Sequence, residues 1–442
     1  MDELEKRTMS KVSARLIPLL IICYFIAYLD RVNLSFAALE MNKDLNFSAT
    51  VYGNGAGIFF LSYFLLETPS NLILVRVGAR RWIARIMFTW GILSGCMAFI
   101  TGETSFYAVR FLLGAAEAGF FPGIIFYLTL WFPAAYRGRI ISLFMTAIPL
   151  SAVVGAPLSS LLLYLDGGFG MKGWQWIFIL EAIPSLIFSV VIYFYLTERP
   201  SEATWLAADE RAWLVARQNN ERIHRESIVN QSVFQALTNP KVLALGVAGI
   251  SIAYSIYGLS YFLPQVVKAF GVTNMQTGLI TAIPFSVGTV SMIWYGRRSD
   301  RLMERRSHTA IALLITGLGI GAAAVISDPY IKMAWLCVAG FGAFAVLPVF
   351  WSMPTAFLSG TAAAAGIAFI NSIANIAGFV GPMIIGRIKD ATGSFSGGFL
   401  VIAGISVVAA IVMLCIGHDK ALEQVPEPYS DLEPLPGAAP AE

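Results

Sequence analysis

"VRVGARR", Val75–Arg81, returns in altered form as "DRLMERR", Asp300–Arg306, and that return decides the fold. The arginines coincide: Arg76 with Arg301, Arg80 with Arg305 and Arg81 with Arg306, each 225 positions apart. Pro157 in "VVGAPLS" and Pro382 in "GFVGPMI" stand at the same offset. Four matches at one offset, in equivalent places of two stretches of similar length, indicate a duplicated unit.

Composition says what the unit is. Of 442 residues, 57% are hydrophobic and 13% charged, where a soluble domain carries about 25% charged residues. The deficit points to lipid as the solvent. Apolar windows fall near 16–38, 51–75, 82–101, 106–131, 140–164, 175–197, 241–267, 276–296, 309–326, 331–353, 363–386 and 397–417. In hydrocarbon each backbone N–H and C=O must be paired within its own segment, so these are helices. The short alternating segments of a membrane barrel are absent. The expected fold is all-α and integral to the membrane: twelve transmembrane helices in two six-helix halves related by pseudo-two-fold symmetry. The expected divisions are an N-terminus at 1–15, a six-helix bundle at 16–197, a linker with an amphipathic helix at 198–240, a second bundle at 241–417 and a disordered tail at 418–442.

Basic residues orient the chain. With the N-terminus in the cytoplasm, 21 Lys and Arg fall on that side and 6 on the other, so both termini are expected there. Net charge is only +3, which gives no reason to expect nucleic acid. The four cysteines, Cys23, Cys96, Cys337 and Cys415, lack metal-ligand or redox spacing. No G-x-x-x-x-G-K-[ST] motif occurs. Neither metal nor cofactor is expected, and a proton gradient is the expected energy source. A membrane enzyme would need a nucleophile–base pair or metal cluster in the spans. The histidines, His224, His308 and His418, fall in segments expected to be solvated. A sensor would need a larger signalling domain. Duplicated halves favour alternating access around a site near the midplane.

Few ionisable residues lie within the spans: Asp30 and Arg31 in the first, Arg110 and Glu117 in the fourth, Glu181 in the sixth, with Glu67 and Arg85 toward span ends. A charge at mid-bilayer costs about 2.5–3.5 kcal/mol on the lenient insertion scale. Such groups face one another or a watery cavity. Arg110 and Glu117 are seven apart and share a helix face, amid small residues that admit a close neighbour. An arginine fork grips a carboxylate bidentately, and a carboxylate in a low-dielectric cavity holds a proton nearer neutrality than in water. Asp30, Arg31, Arg110 and Glu117 sum to zero. A carboxylate substrate makes the site negative and a proton restores neutrality, so each favours the other's binding. Asp30 and Arg31 point about 100° apart, which gives substrate contact to Arg31 and coupling to Asp30, Glu117 and Arg110. In the second half, Asn371 and Asn375 share a face and suit hydroxyls. Tyr254, Tyr257 and Tyr261 have helical spacing that suits either cavity lining or packing, with Tyr254 and Tyr257 expected at the substrate, and Trp351, Ser352 and Pro354 suggest a break near a gate.

The stretches "YLDRVNLSFAALEMNKDL", "YGNGAGIFFLSYFLLETPSNLILVRVGARRWIARIMFTWG", "VRFLLGAAEAGFFPGIIFYLTLWFPAAYRGR" and "GWQWIFILEAIPS" resemble the anion:cation symporter family of the major facilitator superfamily. Within it they look most like bacterial tartrate-type permeases, with permeases for sugar acids, 4-hydroxyphenylacetate and phthalate close. The resemblance covers the chain except its tail. It implies a proton-driven importer of organic anions in the bacterial inner membrane, a functional monomer with no partner but substrate, protons and lipid. It implies substrate binding by Arg31, a cavity tyrosine at Tyr63, and proton coupling through Asp30 and Glu117. It also makes Arg76, Arg80, Arg81, Asp300, Arg301, Arg305 and Arg306 a cytoplasmic latch. That loop usually carries Asp where this chain has Val75, so the first latch is expected to be weaker or to use another acid, such as Glu67.

Overall fold

A computed structural model describes residues 3–227, 238–302, 304–354 and 360–415. Positions 228–237 of the linker, the tail from 416 and the Asp300 side chain lie outside the described residues. Among the described residues twelve helices are long and apolar enough to cross a membrane: Glu3–Asp44, Ala49–Val77, Ala79–Phe99, Glu103–Trp131, Ala135–Leu165, Gly173–Tyr195, Pro240–Lys268, Asn274–Ser299, Arg306–Val325, Pro329–Ser352, Phe369–Thr392 and Ser396–Cys415. They are called first to twelfth below. The side carrying both chain ends and the arginine-rich loops is the basic side.

The halves pack alike. The first helix lies against the fifth and sixth as the seventh lies against the eleventh and twelfth. The second packs on the fourth as the eighth does on the tenth, and the third on the sixth as the ninth on the twelfth. Between halves the second meets the eleventh and the fifth meets the eighth. Those two joints repeat one device. Gly53 lets the second helix press against the Pro382 carbonyl, and Gly278, again 225 positions on, presses the eighth against Ala156 and Ser160 beside Pro157. A side chain at either glycine would collide with backbone. The side opposite the basic one is further tied by Ala49 and Thr50 N–H donating to Asp390 at 3.0 and 2.7 Å, and by Asn274 donating to Glu40 at 2.8 Å. The halves are therefore closed on that side.

Three helices depart from the expected spans. The first helix does not start at the membrane: it runs unbroken from Glu3, because its charged first turns have a partner. That partner is the linker helix Ala208–Ser227. Arg7 donates to Asp209 at 2.6 Å and to Glu210 at 2.8 Å, and Lys11 to Glu210 at 2.7 Å. The fourth helix breaks after Glu117 and resumes at Phe120, with Gly119 at φ 88°, the left-handed region that glycine tolerates. The ninth begins at Arg306, so His308 is buried against Tyr295 rather than solvated.

The linker clamp titrates. The hydrogen bond from Lys11, with those from the Ala207 N–H and Arg7, holds the Glu210 carboxyl below its ordinary range. A depressed carboxylate stabilises the folded state above its unfolded pKa and loses that contribution as pH falls through the folded value. Glu210→Gln should therefore lower the melting temperature in detergent at pH 7, and the difference from wild type should vanish well below pH 4. An unchanged melting temperature at pH 7 would show that the clamp contributes nothing.

Candidate functional site

Tyr24, Tyr28 and Arg31 follow one another by four and three residues and so share one face of the first helix. All three line a cavity of about 100 Å³ between the halves. One water occupies roughly 10–15 Å³ of such space, so the cavity holds several waters or a small molecule replacing them. Tyr63, Tyr257, Asn371 and Asn375 line it as well, with Phe60, Phe121 and Trp351. Tyr254 does not: its ring lies against Gly381, and its buried hydroxyl has no partner among the described residues. Trp351 stands one residue before the end of the tenth helix, so the cavity reaches toward the basic side.

Arg31 is 8% exposed and pairs with Glu117. Its guanidinium lies 4.7 Å from the Tyr28 ring, 5.5 Å from Phe59 and 5.8 Å from Tyr63. The rings shed water and offer their negative faces to the cation. The Arg31 Nε–H is buried with no partner among the described residues. The cavity thus contains a held cation with a spare donor. The break after Glu117 sets its carboxylate: Gly119 sits on Ser70, where a larger residue would not fit.

Arg110 is placed differently. It is 1% exposed and donates to the Gly55 and Ala56 carbonyls of the second helix at 3.0 and 3.4 Å. Its guanidinium lies 4.7 Å from the Phe59 ring, which Arg31 also approaches. Arg110 therefore stitches the fourth helix to the second, and reaches Glu117 through the field alone.

The Major Facilitator Superfamily signature matches residues 20–382 and 243–437. The chain belongs to the major facilitator superfamily. It is 50% identical over 417 residues to a "Putative tartrate transporter" of Agrobacterium vitis, covering 94% of this chain and 96% of that one. It is 42% identical over 418 residues to the "Putative metabolite transport protein NicT" of Pseudomonas putida, covering 94% and 95%. A crystal structure of a D-xylose-proton symporter shares the fold at TM-score 0.72 and 16% identity, covering 93% of this chain and 99% of that one. The protein is thus a multi-pass membrane transporter and not an enzyme.

Two acids of this transporter lie away from the cavity. Asp30 faces the interior of the first bundle and accepts from Trp90 Nε1 at 2.6 Å, Ser94 at 2.9 Å, Ser185 at 3.1 Å and Asn33 at 3.3 Å. Glu181 accepts from Ser159 at 2.7 Å beside the Asn33 amide. Ser94 and Ser185 are the polar residues that sequence reasoning passed over, and Asn33, conspicuous in its apolar run, was given no role. Their sign in the sequence is polarity at buried span positions, which isolated serines barely raise above background.

The loop arginines divide. Arg76 is exposed beside exposed Val75. Glu198, three residues past the end of the sixth helix, supplies the acid there by accepting from the Ala79 and Arg80 N–H groups. Glu67 is engaged elsewhere: Asn371 and Asn375 donate to its two oxygens at 3.0 and 3.2 Å. In the second copy Arg305 donates to Ser352, and Arg306 to the Met413 and Leu414 carbonyls.

Removing a donor from a buried carboxylate costs about 1–3 kcal/mol. Trp90→Phe should lower unfolding free energy by that much, read as an earlier melt in detergent. Trp294→Phe, at a side chain 53% exposed, should shift it by less than half as far. Equal shifts would deny Asp30 its role as a packing anchor.

Proposed function

We propose that the protein is a proton-coupled symporter that brings a small organic carboxylate into the cytoplasm by alternating access. A tartrate-like hydroxydicarboxylate leads. The observation that carries this reading is the Arg31–Glu117 pair at the cavity wall, ringed by aromatics and left with an unpartnered Nε–H. The name of the 50% identical relative supports the substrate class.

Coupling follows from competition for one cation. A substrate carboxylate gains the planar fork of Arg31, including the spare donor. Glu117 then loses its partner, and an unpaired buried anion costs several kcal/mol. A proton removes that charge, so carboxylate and proton enter together. Asp30 shares in the coupling by fixing the first helix, and hence Arg31, against the third and sixth helices. Arg110 holds the fourth helix, and hence Glu117, against the second. Tyr63 and Tyr257 shape the cavity, and Asn371 and Asn375 offer neutral donors from the other half. The arginine loops latch the halves on the cytoplasmic side. The site works within one monomer in the bacterial inner membrane, with both termini inside.

A second reading has its own support. Eight aromatic side chains line the cavity among the described residues, which suits an aromatic acid as well as a hydroxy acid. Sugar acids come next.

The test is uptake into proteoliposomes under an imposed pH gradient, with labelled tartrate, gluconate, 4-hydroxyphenylacetate, phthalate and a neutral sugar. At least one acid should accumulate. Arg31→Ala should reduce uptake roughly 10- to 100-fold, the value of a charge-assisted hydrogen bond. Glu117→Gln should abolish accumulation driven by the gradient while leaving exchange of internal for external acid. Uptake of the sugar and no acid would overturn the anion reading. Acid uptake indifferent to the gradient would overturn the coupling.

A further inference from the structure

Both polar anchors of the cavity are already occupied, each by a carboxylate of the protein itself. Arg31, from the first half, holds Glu117. Asn371 and Asn375, from the second half, hold Glu67. The second grip is shaped like a ligand site. The two amides stand one turn apart and each donates to a different oxygen, at 3.0 and 3.2 Å, so one carboxylate is cradled at both ends. The amides line the cavity, and Glu67 reaches them one turn past Tyr63 on the second helix.

Glu67 has no need of this position for its own helix. Its partners are neutral, and they belong to the other half of the molecule. A half-buried carboxylate held by amides alone is a weaker arrangement than one facing an arginine. Another carboxylate offered from the cavity can compete for the same donors.

We infer that Glu67 stands in for one end of the substrate, as Glu117 does for the other, and that the preferred substrate is a dianion whose two carboxylates displace both. The inference rests on the transport reading above and extends it. One substrate carboxylate takes Arg31 and evicts Glu117. The other takes Asn371 and Asn375 and evicts Glu67. Each evicted side chain binds one proton from the water on the side then open, and returns it to water on the other side when the substrate leaves and the pair re-forms. Among the described residues the titratable neighbour of Glu67 is Tyr63 on its own helix, and the eleventh helix faces it with the two neutral amides. The charges close: a dianion brings two negative charges and two protons cancel them. A monoanion of equal length evicts Glu117 alone and moves with one proton. Protons carried equal carboxylates carried, and transport moves no net charge in either case.

The test uses full-length protein in proteoliposomes, with potassium and valinomycin setting the membrane potential independently of pH. The probes are L-tartrate, a four-carbon dianion, and threonate, the four-carbon monoanion. In wild type, tartrate should compete for uptake about tenfold better than threonate, and an inside-negative potential should leave the uptake of both unchanged. In Glu67→Gln, tartrate should move with one proton and one uncompensated negative charge. Inside-negative potential should then slow its uptake several-fold, with threonate unaffected. Equal competition by tartrate and threonate in wild type overturns the inference, whether or not the variant folds. So does tartrate uptake in Glu67→Gln that remains indifferent to potential. If wild type takes up no acid of the wider panel under a pH gradient, the transport reading falls and this inference with it; uptake of another acid but of neither tartrate nor threonate overturns this inference alone. Proton-driven uptake with a silent Glu67→Gln sinks this inference alone.

Discussion

The site depends on one buried ion pair. Arg31 and Glu117 lie at membrane depth where neither charge is tolerable alone, so each is conditional on the other being present. The surrounding structure serves that condition. Tyr28, Phe59 and Tyr63 keep water from the guanidinium. The break at Gly119 ends the helix just past Glu117. Asp30, one residue before Arg31, is fastened to the third and sixth helices by Trp90, Ser94 and Ser185. The two neighbouring residues divide the work: one is fixed into the bundle and the other faces the cavity.

Charge is distributed unevenly between halves that are otherwise duplicates. The first half carries Asp30, Arg31, Glu67, Arg110, Glu117 and Glu181 in its spans. The second half answers across the cavity with amides and phenols. Duplication preserved the joints, as Gly53 and Gly278 show with their opposing prolines. The chemistry did not stay symmetric. The matched joints tie the halves alike, whereas the ions stand together in one half, where a single bundle sets their distances.

Much of this was legible from the sequence, for identifiable reasons. Twelve spans follow from lipid's demand for paired backbone, and the two halves follow from arginines repeated at one offset. The residues around the Arg31–Glu117 pair were legible because charges in an apolar run are conspicuous. Tyr24 and Tyr28 could have been added from their steps to Arg31. Tyr254 shows the limit: it is a turn from Tyr257, yet helix rotation turns it toward Gly381 instead of the cavity. The partner of Glu67 was not legible either. Its amides lie some 300 positions along the chain on another helix, and no local pattern records which acid an amide will meet. The same holds for Glu198 at the loop beside Val75: the acid is supplied from the segment after a distant helix and leaves no trace in the motif.

The first helix runs from Glu3 to Asp44 without interruption. At 1.5 Å per residue that is a rod of roughly 60 Å, about twice the thickness of the hydrocarbon core. Its outer end grips the linker helix and its middle carries Arg31. The single helix joining the two places, with Pro18 between them, makes the linker an external handle on the site. Whatever tugs or steadies that handle from the aqueous phase acts on the cavity without entering the membrane.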